Sequence, residues 1–414
     1  MTLQKLAGLM IPEPSKALSA AEAKMLEAVE EVLDTSIRAL VQQNDINGRY
    51  PVECIDLLRA TGIMQSGLPT SLGGLGFSTR FSLEAQLRIA MVDSAVAQVF
   101  KVHDELSREI PYYSSPAQQD ALGAAVVANG SVIGLAVAEQ GRTAEDPMKT
   151  SWIKHADGHY VVDGKKIYTT GAAKADLIAT WAFNAEQATT DNPLLGMQLF
   201  LIPRDTKGVT VHEDWDALGQ RATDSGAITF DQVECSAQWL SSVPGQAPLA
   251  YASLRYQAGF AAVLTGIGLG ALLEAESFIQ TKSRPWAAAN VEHAVDDASI
   301  QRNLGEYASD LAAAYHTLMA CALLFESHHQ GDISRGQLAL PVSTAKVVAH
   351  KAALQATSEI HGLMGTRSVD MRYRLDRFWR NARTLSLHDP VEYKRIEIGR
   401  HLLTGWEPEP GIYQ

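Results

Sequence analysis

Apolar residues recur at spacings of three and four over residues 20–45, where Met25, Leu26, Val29, Val32 and Leu33 form one stripe. That period predicts an amphipathic helix. Residues 51–61 predict a second helix, 67–77 (GLPTSLGGLGF) a loop, and 82–100 a third helix running on into KVHDEL. Near residue 130 the pattern changes to short apolar or alternating runs, at 132–138, 150–155, 159–162, 177–182, 198–202, 209–212 and 227–230. These predict strands, with Asp157-Gly158 and Asp163-Gly164 as hairpin turns. From about 246 the helical period returns over 251–282, 300–327 and 342–362, with Ser343 as a cap and Gly362 or Gly365 as a stop. The expected organisation is a helical segment over 1–129, a β domain over 130–245 and an antiparallel helical bundle over 246–414, an α+β chain overall.

One stretch near the end carries the most chemistry. Residues 377–399 (RFWRNARTLSLHDPVEYKRIEIG) read as a helix ending near Thr384 and another opening at Pro390. Asp389 suits the N-cap, with Glu392 completing a capping box. His388 sits in the joint, a titratable ring at a helix start. It is either a reactive group or a joint residue satisfied by backbone.

Composition narrows the field. The formal net charge of -12 works against nucleic acid and anionic membrane surfaces as partners. Cys54, Cys235 and Cys321 have no metal-ligand spacing, so no metal site is assigned and a reducing cytoplasm is expected. The apolar run 258–273 is short for a membrane span and reads as a buried bundle helix, apolar on nearly every side, for which a second bundle would be the natural cover. Its Gly266-Ile-Gly-Leu-Gly270 follows no strand, so the glycines serve close helix packing rather than a dinucleotide. His328-His329 are adjacent on a helix end and cannot face one ion. In residues 164–171 (GKKIYTTG), strand alternation would put Tyr168 and Thr170 on one face, an aromatic and a hydroxyl able to stack on a ring and bond its edge.

Four segments in this order, 135–141 (LAVAEQG), 164–171, 218–226 (LGQRATDSG) and 377–393, resemble the acyl-CoA dehydrogenase superfamily. The resemblance covers nearly the whole chain. It implies a helical N-terminal domain, a central β-barrel-like domain, a C-terminal four-helix bundle, and a flavin between the last two. Residues 379–384 (WRNART) with 387–390 (LHDP), 281–286 (TKSRPW) and 214–221 (DWDALGQR) are similar to the flavin monooxygenases of the dibenzothiophene monooxygenase type. That branch implies reduced FMN delivered by diffusion from a separate NAD(P)H:flavin reductase, O2 as co-substrate, and a flavin C4a-hydroperoxide that oxygenates the sulfur or nitrogen of a small organic substrate. The all-round apolar run 258–273, with a second bundle as its cover, leads to the expectation of a homo-oligomer, a tetramer. By position, Tyr168 and Thr170 would flank the flavin ring, Arg284 would reach the flavin phosphate of a neighbouring subunit, and Thr366 and Arg367 would contact the flavin. Thr143 and the backbone of Ala138 would also bind it. His388 would face the reacting edge as a general acid, with Thr170 at the ring's N5 region and His103 lining the substrate pocket. Ala138, Leu385 and Ser107 depart from the polar or aromatic residues of the sulfur-oxidising members. The alternative is an acyl-CoA dehydrogenase or flavin oxidase with Asp389 as base.

Overall fold

The computed structural model describes residues 8–9, 11–141, 146–240, 242–243, 245 and 249–411. Helix α1 (Ala20–Val32) runs through one wide π turn at Leu33–Ile37 into α2 (Arg38–Asn47), so the stripe over 20–45 holds with a local bend. Ser19 and Glu22 cap α1 reciprocally. After α3 (Val52–Thr61), the single helix expected over 82–100 is two helices, α4 (Thr79–Val92) and α5 (Ser94–Tyr113). Asp93 is the cause: its backbone turns extended, and its carboxylate accepts the N–H groups of Ala95 and Val96. A short α6 (Pro116–Gly123) follows.

Strands β1 (Ile133–Ala136), β2 (Ser151–Lys154), β3 (Tyr160–Lys166), β4 (Leu177–Phe183), β5 (Met197–Pro203), β6 (Val209–Val211) and β7 (Ile228–Cys235) form one seven-stranded curled sheet. Its order is β1-β4-β2-β3-β7-β6, with β5 antiparallel to β4 and β1 parallel to it. Asp157-Gly158 turns between β2 and β3 as expected, with Gly158 at φ +92°. Asp163-Gly164 does not turn. It lies inside β3, where the register against β7 shifts between Val162 and Gly164. A Cβ on Gly164 would meet the Thr150 Cα at 2.6 Å, so this glycine serves a bulge pressed on β2.

The bundle comprises α7 (Ala252–Thr281), α8 (Ala298–His329), α9 (Arg335–Met364), α10 (Asp376–Ser386) and α11 (Val391–Thr404). Ser334, not Ser343, caps α9; the Ser343 hydroxyl donates to Glu397 of α11 instead. Gly365 ends α9 at φ +79°. Helix α7 is the axis, and α4, α8, α9 and α10 of the same chain cover it. Its most apolar window is long enough to cross a membrane, yet 94% of it is buried inside the molecule. The chain therefore supplies the cover that was expected from a second bundle. The glycines allow this: Cβ atoms on Gly266 and Gly270 would lie 2.2 Å from the Leu87 and Met91 carbonyls of α4. One core cluster unites α1–α5 with the bundle, a second fills the sheet, and a third packs α5 and α6 on β1, β4 and β5.

Candidate active site

The joint between α10 and α11 is built differently from the capped turn the sequence suggests. Pro390 is the N-cap of α11 and no side chain caps it. Asp389 is buried and turned into the bundle, where its carboxylate accepts from Lys346 Nζ of α9 at 3.0 Å and from His388 Nδ1 at 3.1 Å. Lys346 is fully buried and donates a second bond to Gln257 of α7 at 2.9 Å. Burial would raise the Asp389 pKa, but the His388 bond and the Lys346 charge hold it far below the usual carboxylate range. Burial lowers Lys346 to about 8 despite Asp389.

With Nδ1–H on Asp389, the other ring nitrogen of His388 carries the lone pair. The ring lies on Phe260 of α7, centroids 4.1 Å apart, and its side chain stays 41% exposed. Water reaches one edge, yet the dense protein around the rest lowers its pKa, more than the Asp389 bond raises it. His388 is thus a neutral imidazole at neutral pH. It begins as a proton acceptor, and the acid role expected of it would follow once Nε2 has taken up a proton.

Phe260 collects more charge. Lys101 Nζ of α5 lies 4.0 Å from its ring centroid and Lys346 Nζ lies 4.6 Å from it. Lys101 pairs with Glu105 one turn on, at 2.8 Å, both almost wholly buried. Burial pushes Glu105 up to about 7, and Glu109, which accepts from Tyr256, to about 7 as well. None of Lys101, Glu105, Phe260 or Lys346 was singled out from the sequence. The available signals were the i,i+4 Lys101–Glu105 spacing and Lys346 flanked by the apolar residues Ala345, Val347 and Val348.

At the sheet, Tyr168 is not on the strand. β3 ends at Lys166, and Tyr168 adopts φ +55° with its side chain exposed, edge-on to Trp215 at 6.1 Å. Alternation therefore does not place it beside Thr170. The 214–226 segment does that work. Ser225 Oγ donates to Thr170 Oγ1 at 3.2 Å, and Thr169 donates to the Gly226 carbonyl through both its N–H and its hydroxyl. The Gln220 N–H in turn donates to Asn381 Oδ1 of α10 at 2.7 Å, tying this loop to the bundle. Ala138 is exposed, but its carbonyl already accepts from Ile167 N–H.

Other expected site residues fall elsewhere. His103 is fully buried in α5; Nδ1 accepts from Ile133 N–H at 3.0 Å, so Nε2–H donates to the Met64 carbonyl at 2.7 Å. Burial lowers its pKa. Both nitrogens are engaged, tying α5 to β1 and to Met64. Arg284, Thr366 and Arg367 gather at one end of the bundle. Ser283 bonds the Met364 carbonyl at 2.9 Å, Arg367 bonds the Lys282 carbonyl at 3.0 Å, and all three residues are exposed. Among the described residues none of them bonds to Tyr168, Thr170 or His388. Thr143 lies outside the described residues.

This donor set fits a flavin mononucleotide. Tyr168 offers an open aromatic face, Thr170 and Ser225 offer hydroxyls, and the exposed Arg284 and Arg367 offer planar donors for a phosphate. Models of the acyl-CoA dehydrogenase N-terminal, middle and C-terminal domains match residues 19–129, 134–233 and 258–393. The chain is 32% identical over 398 residues to a dibenzothiophene monooxygenase of Rhodococcus qingshengii, covering 93% of this chain and 94% of that one. It is 30% identical over 382 residues to a "probable FMNH2-dependent monooxygenase" of Pseudomonas putida, covering 90% and 93%. The FMN-bound crystal structure of a Paenibacillus sp. A11-2 protein superposes with a TM-score of 0.87 at 31% identity, covering 94% of this chain and all of that one.

Proposed function

This chain belongs to the acyl-CoA dehydrogenase family, in its dibenzothiophene-type flavin monooxygenase branch, and from that premise we propose that it oxygenates a soft heteroatom of a small organic substrate with reduced FMN and O2. The observation that carries this reading is the state of Asp389. A carboxylate buried against Lys346 and His388, with its pKa held low, is a poor base for an α-proton. The same arrangement presents neutral His388 at the site's open edge, and works against the dehydrogenase alternative.

Bound reduced FMN supplies the two electrons that split O2, so that one oxygen atom goes to the substrate and the other leaves as water. The protein's part is positioning and proton traffic. Asp389 fixes the His388 tautomer and would stabilise its imidazolium, so the ring can take up a proton at Nε2 and return it to the departing oxygen. Phe260 seats the ring and, with α7, keeps water from its inner face. Tyr168 would stack at the flavin ring, and Thr170, held by Ser225, would sit at its N5 edge. Arg284 would bind the flavin phosphate of a neighbouring subunit in a homotetramer, with Thr366 and Arg367 completing that end and the backbone at Ala138 the other. The support for a shared site is the exposed arginine pair beside Trp286, Val369 and Met371, which are 79%, 65% and 54% exposed. A flavin reductase is the implied source of FMNH2, and three buried free thiols fit a reducing cytoplasm.

The test mixes the protein anaerobically with FMNH2, then with air and a panel of sulfides, sulfinates and amines. Oxygenated product and little free hydrogen peroxide are expected. Flavin bleaching by an acyl-CoA without O2, and no oxygenated product, would overturn the assignment.

A further inference from the structure

One oxygen of Asp389 serves two donors. Its Oδ1 accepts from His388 Nδ1 at 3.1 Å and from Lys346 Nζ of α9 at 3.0 Å. Gln257 Oε1 of α7 holds the same ammonium from another side at 2.9 Å. Lys346 and His388 also lie against one ring: Nζ is 4.6 Å from the Phe260 centroid, and the imidazole centroid is 4.1 Å from it. The usual structural tasks of such a pair are met elsewhere. Asp389 precedes α11 and could have capped it, yet no side chain caps that helix. The docking of α11 on α9 has its own bond, from Ser343 Oγ to Glu397 Oε2 at 2.7 Å, and Glu397 pairs with Lys394 on its own helix. What distinguishes Lys346 is that it shares the very oxygen His388 uses.

A carboxylate stabilises a bonded imidazolium with its charge. When an ammonium sits on the same oxygen, that charge is already partly matched, and the ammonium also repels the imidazolium. Burial is the main cause of the low His388 pKa, and Lys346 adds to it. Lys101 of α5 lies 4.0 Å from the same Phe260 centroid, but it pairs with Glu105 at 2.8 Å and, among the described residues, makes no bond to Asp389. The other titratable groups acting on or with Lys346 are His350 of α9 and Lys394 of α11.

We propose that Lys346 is a positioning residue of the reaction, acting through Asp389 to keep His388 a weak base and its imidazolium a ready acid, so that a proton taken up at Nε2 passes on to the departing oxygen instead of staying on the ring. This rests on the monooxygenase reading. Nδ1–H, Asp389 and Lys346 keep their protonation throughout, and only Nε2 gains and loses a proton.

Exchange of the ring Cε1 hydrogen for deuterium, followed by mass spectrometry over a pH series, reads the pKa of each histidine in the full chain and needs no flavin. Lys346→Gln keeps an N–H donor for Asp389 and removes only the charge. It should raise the His388 midpoint by about one unit or more, a tenfold gain in proton affinity. Lys346→Arg should restore the wild-type midpoint, and Lys101→Gln should move it far less. With FMNH2 and air, the acid limb of product formation should move to higher pH with the midpoint. Should Lys346→Gln fold poorly, Gln257→Glu leaves Lys346 in place and draws its charge onto a second carboxylate, so the midpoint should rise again. A lost denaturation midpoint with an unmoved His388 pKa would mean a structural pair only and overturns the proposal. So does a shift just as large in Lys101→Gln, since the general field and not Asp389 would then set the ring. Neither result touches the monooxygenase reading, which fails instead if wild-type protein gives no oxygenated product.

Discussion

His388 holds its proton on Asp389 and offers a neutral nitrogen to the site, so its loss should separate flavin binding from oxygen transfer. His388→Ala is expected to keep FMN affinity, lower product formation about 100-fold, the low end for a lost acid–base group, and release hydrogen peroxide instead. Unchanged coupling of FMNH2 to product would remove it from the mechanism. His103 should behave oppositely. His103→Asn strands buried groups at Met64 and Ile133, at a cost of about 1–3 kcal/mol in chemical denaturation, while kcat stays near wild type. The sign of its pH effect follows from its lowered pKa. As pH falls through about 6.5, the unfolded chain takes up a proton that the folded chain refuses, so stability drops. The variant should lose that part of the slope between pH 7 and 5.

At the scale of elements, the close approach of α7 to α4 and the buried Lys346–Asp389 pair at the α10–α11 joint are the contacts to test. Gly266→Ala or Gly270→Ala drives a methyl into a carbonyl of α4, with an expected loss of about 1–3 kcal/mol, read from the denaturation midpoint. Lys346→Met leaves Asp389 buried beside His388 alone, and about 3–5 kcal/mol is the expected cost. Asp389→Asn would be nearly neutral if the residue only capped α11. The structure puts it on Lys346, so it should destabilise on a similar scale.

The molecule as a whole leaves its bundle end open. Arg284, Arg367, Trp286, Val369 and Met371 are exposed there. A site completed between subunits predicts that Arg284→Ala weakens FMN binding by about 1.5–3 kcal/mol, the scale of a charged hydrogen bond, with the assembly intact by sedimentation. A monomer that binds FMN as tightly would sink the shared site.

Periodicity alone determined the order helices, sheet, helices, and nearly every strand, because burial of one face imposes period 2 or 3.6 along the chain. It also placed His388 in a joint and explained the α7 glycines. It could not see Asp93 breaking a helix, or Asp163-Gly164 forming a bulge, since both depend on which backbone groups lie opposite. Nor could it say where a side chain points once the chain turns. His103 went to backbone partners, Asp389 to Lys346, and Tyr168 left its strand. Lys101, Glu105, Phe260 and Lys346 come from three separate helices, α5, α7 and α9. Only tertiary packing decides that their charges meet at one ring, because the energy of a buried charge depends on neighbours distant in sequence.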